Sequence, residues 1–180
     1  MVRIDSFVGE TFLKHALSII SGPPGSGKTQ FTFSLACWCI RHHKKVLYIQ
    51  CGCGFVLDRI IEMLQSQGVS DLSCLLDLYI ENADSAYSLF DIAEKYALVP
   101  ISLLEPNPQI LQSHKWGCII VDSITPLFLP LFSFDNENGR SLLTHLLLYF
   151  RFLCIKFKLP TIVGLLFCSF EIDGKPNTKN

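Results

Sequence analysis

Short apolar runs alternate with stretches of helical period along most of the chain. Ala16 to Ser21 is predicted as a strand running into a glycine-rich turn, and Thr29 to about His42 as a helix. Val46 to Gln50 follows as a second strand. Val56 to Gln67 has the period of an amphipathic helix, closed by Gly68 as a C-terminal cap. Leu76 to Glu81 is a third strand, and Asp84 or Ser85 caps a helix reaching about Ala97. Three prolines, Pro100, Pro106 and Pro108, mark Leu98 to Lys115 as a surface loop. Cys118 to Asp122 is a fourth strand, Arg140 to Lys158 a long helix stopped by Pro160, and Thr161 to Phe167 a fifth strand.

Cys118-Ile119-Ile120-Val121 and Ile162 to Phe167 are apolar at every position. Strands buried on both faces read this way, so the pattern predicts an α/β fold: a central, mainly parallel sheet with helices on both sides. Ligands of such sheets bind beyond the carboxyl ends of the strands. The 180 residues fit one domain with an ample core, the last stretch, 168–180, being a candidate flexible tail. With 49% hydrophobic and 17% charged residues the chain is neither a disordered tail nor a charged coiled coil. Its net charge of −1 gives no whole-molecule attraction to nucleic acid, so any such contact must come from local loops or another subunit. No apolar run is long enough to cross a membrane, and Met1-Val2-Arg3-Ile4-Asp5 does not open a secretory signal. The eight cysteines therefore read as small buried hydrophobes of a reducing, intracellular setting. Cys37/Cys39 and Cys51/Cys53 lack the spacing of zinc ligands.

The informative segment is Gly22-Pro23-Pro24-Gly25-Ser26-Gly27-Lys28-Thr29, a full match to G-x-x-x-x-G-K-[ST] between a predicted strand and a predicted helix. Glycines let backbone N–H groups turn toward phosphate oxygens, and a helix N-terminus adds positive potential. In this pattern Lys28 reaches the β- and γ-phosphates and the Thr29 hydroxyl binds Mg²⁺. The competing reading is a glycine-rich turn with no ligand. Such a loop needs an acid for Mg²⁺, and Asp122, ending its strand, fits, acting through water. The alternative for Asp122 is capping of its own turn with Ser123. Two further segments stay open. Arg41 to Lys45 is basic at a helix end, where the dipole alone favours cations. Pro126 to Phe134 is very apolar for the loop expected there, suiting burial or a partner surface equally.

The phosphate loop would also suit AAA+ ATPases, but those place Glu directly after the metal-site Asp, where this chain has Ser123. Ile119-Ile120-Val121-Asp122-Ser123-Ile124-Thr125, Gln30 after Lys28-Thr29, and Lys45-Val46-Leu47-Tyr48-Ile49 instead resemble RecA/RadA-type recombinases. So do Asn138-Gly139-Arg140 leading into a long helix and Leu159-Pro160-Thr161-Ile162-Val163. The resemblance spans about Ser18 to Val163 and is nearest to the eukaryotic paralogues of the Rad recombinase. It implies a RecA-like P-loop fold, ATP and Mg²⁺ as cofactors, Gln30 beside the nucleotide, and a nuclear role in homologous-recombination DNA repair. It also implies hetero-oligomers with other recombinase paralogues, and DNA contacted directly or through the complex.

The sequence departs from that pattern in three places. Gly52 stands at or beside the family's water-activating Glu, so weak or absent hydrolysis is expected. Leu165 and Leu166 occupy the region of a polar γ-phosphate sensor. The stretches before Ala16 and after Phe167 are short for the family. Two rivals remain at this stage: a small P-loop kinase or AAA+-type ATPase not acting on DNA, and a scaffold with a vestigial phosphate loop.

Overall fold

A computed structural model describes residues 16–52, 54–55, 57–97, 116–157 and 161–166. The expected loop from Leu98 to Lys115 and the tail 168–180 lie outside the described residues. Among the described residues five strands and five α-helices follow in order: β1 (Leu17–Gly22), α1 (Lys28–Arg41), β2 (Lys45–Cys51), α2 (Leu57–Ser66), β3 (Leu78–Ala83), α3 (Ala86–Ala97), β4 (Trp116–Asp122), α4 (Thr125–Phe134), α5 (Asn136–Phe157) and β5 (Thr161–Leu166). The sheet order is β1-β5-β4-β2-β3, and every pairing is parallel.

Period-two alternation in β2 and β4 divides the core between the two faces. Val46, Tyr48, Cys118 and Ile120 pack under α1 and α2, against Leu35, Ala36, Ile40, Ile60 and Leu64. Leu47, Ile49, Ile119 and Val121 pack on the other face against Leu89 of α3, Phe128 of α4, and Leu146 and Phe150 of α5. The expected α/β architecture, helices on both sides of a parallel sheet, is what the chain adopts. Parallel strands all end on one edge, so the turns after β1, β2 and β4 meet there.

The fourth strand starts at Trp116 rather than Cys118, and three further differences from the sequence reading have a visible cause. The expected third strand from Leu76 starts at Leu78, because Asp71 accepts hydrogen bonds from Ser73 N (2.9 Å) and Ser73 Oγ (2.7 Å) and opens a 3₁₀ turn through Asp77. The apolar loop expected at Pro126 to Phe134 is helix α4. Pro126 sits in its first turn, where the missing N–H costs nothing. Leu127 and Phe128 are buried, whereas Phe134 is 92% exposed. The long helix starts at Asn136 rather than Arg140, since Asp135 Oδ1 accepts from Asn138 N at 3.1 Å and extends it by a turn. Ser85 rather than Asp84 takes the capping role at α3, its Oγ accepting from Ser88 N at 3.0 Å.

Candidate functional site

The turn from β1 to α1 is shaped by its glycines. Gly25 and Gly27 have φ of 76° and 86°, the left-handed region that L side chains rarely adopt. A Cβ on Gly22 would stand 2.7 Å from Ser26 Oγ and would push that hydroxyl, a partner of Lys28, aside. Ser26 N donates to Pro23 O at 3.2 Å, and Phe31 N donates to Gly27 O at 2.9 Å, starting α1.

Lys28 is 8% exposed. Its ammonium donates to Gly22 O (2.9 Å), Pro23 O (2.7 Å) and Ser26 Oγ (3.1 Å), using all three of its hydrogens on the loop. Thr29, the second residue of α1, is exposed on the cleft. Gln30 also lines the cleft, yet its amide is tied to α2: Nε2 contacts Met63 Sδ at 3.2 Å, and Oε1 accepts from Arg59 Nε at 3.3 Å.

Asp122, at the end of β4, is half-buried across the cleft. Its Oδ2 accepts from Tyr48 OH at 2.7 Å and from Thr32 Oγ1 at 3.2 Å. These bonds run across the sheet and to α1 rather than along Asp122's own turn, which disfavours the turn-cap reading. Tyr48 is 2% exposed, and burial together with the neighbouring Asp122 carboxylate pushes its hydroxyl pKa far above the usual phenol range. Tyr48 therefore stays a donor at any ordinary pH. The Cys51 thiol is pushed up to about 12 by the same two causes, burial first, and stays neutral.

Loop and acid face one cleft of about 360 Å³. Its walls include Lys28, Thr29, Gln50, Asp122 and Ser123, with Phe33, Phe55 and Pro126 on the apolar side. Asp122 is the only carboxylate among the described lining residues. The donor set fits a nucleotide phosphate with Mg²⁺: a lysine ammonium, positive-φ glycines at a helix N-terminus, and hard oxygens from Thr29 and Asp122. Two orphaned groups point the same way. Gln50 Oε1 and Ser123 Oγ are buried without a hydrogen-bond partner. Such groups cost about 1–3 kcal/mol each when left unpaired, so a ligand carrying hydrogen-bond donors is favoured here.

The turn after β2 has no such equipment. Gly52 has a φ of 90°, and a Cβ there would lie 3.1 Å from Pro126 Cβ. The backbone at this point thus disfavours any side chain, a glutamate included. On β5, Leu165 and Leu166 stand in register with Ser21 and Gly22.

Sequence reasoning missed Thr32, Tyr48, Gln50, Ser123 and Gly164 as parts of the site. Thr32 lies one turn beyond Thr29, and Tyr48 and Gln50 share the face of β2 that carries Val46, a signal visible only once Asp122 is placed in register with Gln50. Gly164 gave no local sign at all; a Cβ there would approach Asp122 Oδ1 to 3.1 Å. The basic segment from Arg41 to Lys45 sits at the opposite end of α1. Arg41 donates to Gln67 Oε1 at 2.7 Å, and Lys44 and Lys45 lie over the rings of Trp38 and Tyr79.

No family model matches the chain. It is 27% identical over 123 residues to the DNA repair and recombination protein RadB of Thermococcus sibiricus. The alignment covers 68% of this chain and 47% of that protein, so the chain spans about half the length of the curated relative it matches. The match is archaeal and does not reach the eukaryotic paralogue branch. Together with the parallel α/β sheet, it supports kinship with the RecA-type superfamily.

Proposed function

We propose that the chain is an ATP-binding subunit of a homologous-recombination DNA repair complex, related to recombinase paralogues and binding ATP with Mg²⁺ while hydrolysing it weakly or not at all. The observation that carries this reading is the shared cleft: a complete phosphate-loop motif with Lys28 curled over its own carbonyls, facing Asp122 and no other acid among the described residues. Gly22, Pro23, Pro24, Gly25, Ser26, Gly27, Lys28 and Thr29 would surround the phosphates, with Gln30 beside them. Thr29 would hold Mg²⁺ directly and Asp122 would hold it through water. Bound there, Mg²⁺ supplies charge neutralisation of the phosphates.

The residues' own work follows from their contacts. Tyr48 and Thr32 fix one oxygen of Asp122, leaving the other for a metal-bound water. Lys28 exchanges carbonyl oxygens for phosphate oxygens. The DNA repair role is supported by the sequence resemblance and by the name of the archaeal relative, and the nuclear setting and the hetero-oligomeric partners by the sequence resemblance alone. The whole chain is proposed as a single domain serving this role.

Titration with a fluorescent ATP analogue and Mg²⁺, followed by turnover with and without single-stranded DNA, tests the reading. Binding that requires Mg²⁺ and Lys28, with little turnover, is the expected result. Absence of nucleotide binding overturns it, and rapid turnover with a small acceptor would replace it by a kinase.

A further inference from the structure

We infer that Gln50 is the residue that positions the water attacking the γ-phosphate, in place of the carboxylate absent from the turn at Gly52. The inference rests on the nucleotide reading above and deepens it. Gln50 pairs in register with Asp122 on the neighbouring strand, and both line the cleft with Lys28 and Thr29. Its Oε1 is buried and has no hydrogen-bond partner, and Ser123 Oγ, next to Asp122, is in the same condition. Two unpaired oxygens lining one cleft suit a small partner, and a water has two hydrogens to give. The competing position is closed: Gly52 has positive φ and lies against Pro126.

An amide oxygen accepts a hydrogen bond but does not take a proton at ordinary pH. Gln50 therefore orients the water without acting as a base. The water's oxygen forms the new bond to the γ-phosphorus, and the bond from that phosphorus to the bridging oxygen breaks with its electron pair leaving on ADP. Both water protons end on the released phosphate, so ATP⁴⁻ and H₂O give ADP³⁻ and H₂PO₄⁻. A positioned water without a base gives slow turnover, as general bases contribute about 10²–10⁴-fold.

The test uses the full chain and three variants: Gln50→Ala, Gln50→Glu and Lys28→Ala. Fluorescent ADP with Mg²⁺ is titrated alone and with aluminium fluoride, which mimics the phosphoryl group in flight. Gln50→Ala is expected to bind ADP within about twofold of the parent and to lose about tenfold or more of the affinity that aluminium fluoride adds, since that mimic engages transition-state contacts. Gln50→Glu is expected to hydrolyse ATP faster than the parent, with a new limb in the pH–rate profile rising as the introduced carboxyl ionises. Unchanged aluminium fluoride affinity in Gln50→Ala overturns the role of Gln50, as does a Gln50→Glu variant that binds ATP but turns over no faster. If the parent and Lys28→Ala bind ADP equally, the nucleotide reading itself falls, and this inference with it.

Discussion

The turns after β1 and β2 lie on the same edge of one sheet, yet they have been built to different demands. The first, Gly22 to Thr29, has features that suit phosphate contact: positive-φ glycines, a buried ammonium, and a helix beginning where the loop ends. The second carries a glycine at φ 90° pressed against Pro126, where a catalytic carboxylate would be needed. Under the proposed reading, holding a nucleotide and cleaving it would fall to separate pieces of backbone, and one could be lost while the other persists.

The strongest way to break this contrast is at the first turn. Lys28→Ala should weaken ATP binding at least about 100-fold, the loss of two charged hydrogen bonds of about 1.5–3 kcal/mol each, as read by fluorescence titration. The circular dichroism spectrum should be unchanged. Asp122→Asn comes next: it keeps an acceptor for Tyr48 but should reduce the Mg²⁺ dependence of nucleotide binding by about 10–100-fold, the usual cost of disturbing a metal's outer partners. At the second turn the expected effect is on stability. Gly52→Glu should cost about 1–2 kcal/mol for the left-handed backbone alone, lower Tm by about 2–8 °C, and add no turnover. A stable and active Gly52→Glu protein would erase the distinction between the turns. Gly164→Ala should act more gently, nudging Asp122 Oδ1 and weakening Mg²⁺-dependent binding a few-fold while ADP affinity without metal stays put.

The smallest effect concerns alkaline pH. Burial raises the thiols of Cys37 to about 11 and Cys51 to about 12, from an ordinary value of 9.0. In the unfolded chain they ionise first, so the unfolded state binds fewer protons between about 9 and 12 and stability falls as pH rises through that window. Below 9 these thiols contribute no slope. Replacing both with alanine should flatten the decline of Tm between pH 9 and 11; an unaltered decline would assign it to other groups.

The phosphate loop and Asp122 were legible because each rests on local spacing, a fixed motif between strand and helix and an acid closing an apolar run. The alternating layers were legible too, since Cys118 to Val121 is apolar on both faces. Helix α4 was not, because a loop was expected after Asp122 and a nearly all-apolar run with Pro126 in the first turn and Pro130 inside carries no helical alternation of polar and apolar positions. Asp135 hid the start of α5 in a similar way, as a cap whose effect depends on which backbone N–H it meets. Gln50, Ser123 and Gly164 were invisible for a deeper reason. Their significance lies in register between strands far apart in sequence, such as Gln50 opposite Asp122, and no local pattern encodes it.

The three hydrogen bonds of Lys28 bear on kinetics as well as affinity. They brace the loop from within, so most of the ordering that a flexible loop would undergo at encounter is already complete. Under the proposed nucleotide reading, incoming phosphates meet a gathered loop, and Lys28 has to release its carbonyls before it grips them. The association rate should therefore rise with nucleotide concentration and level off where that release becomes limiting, and differences in residence time should dominate differences in affinity among ligands.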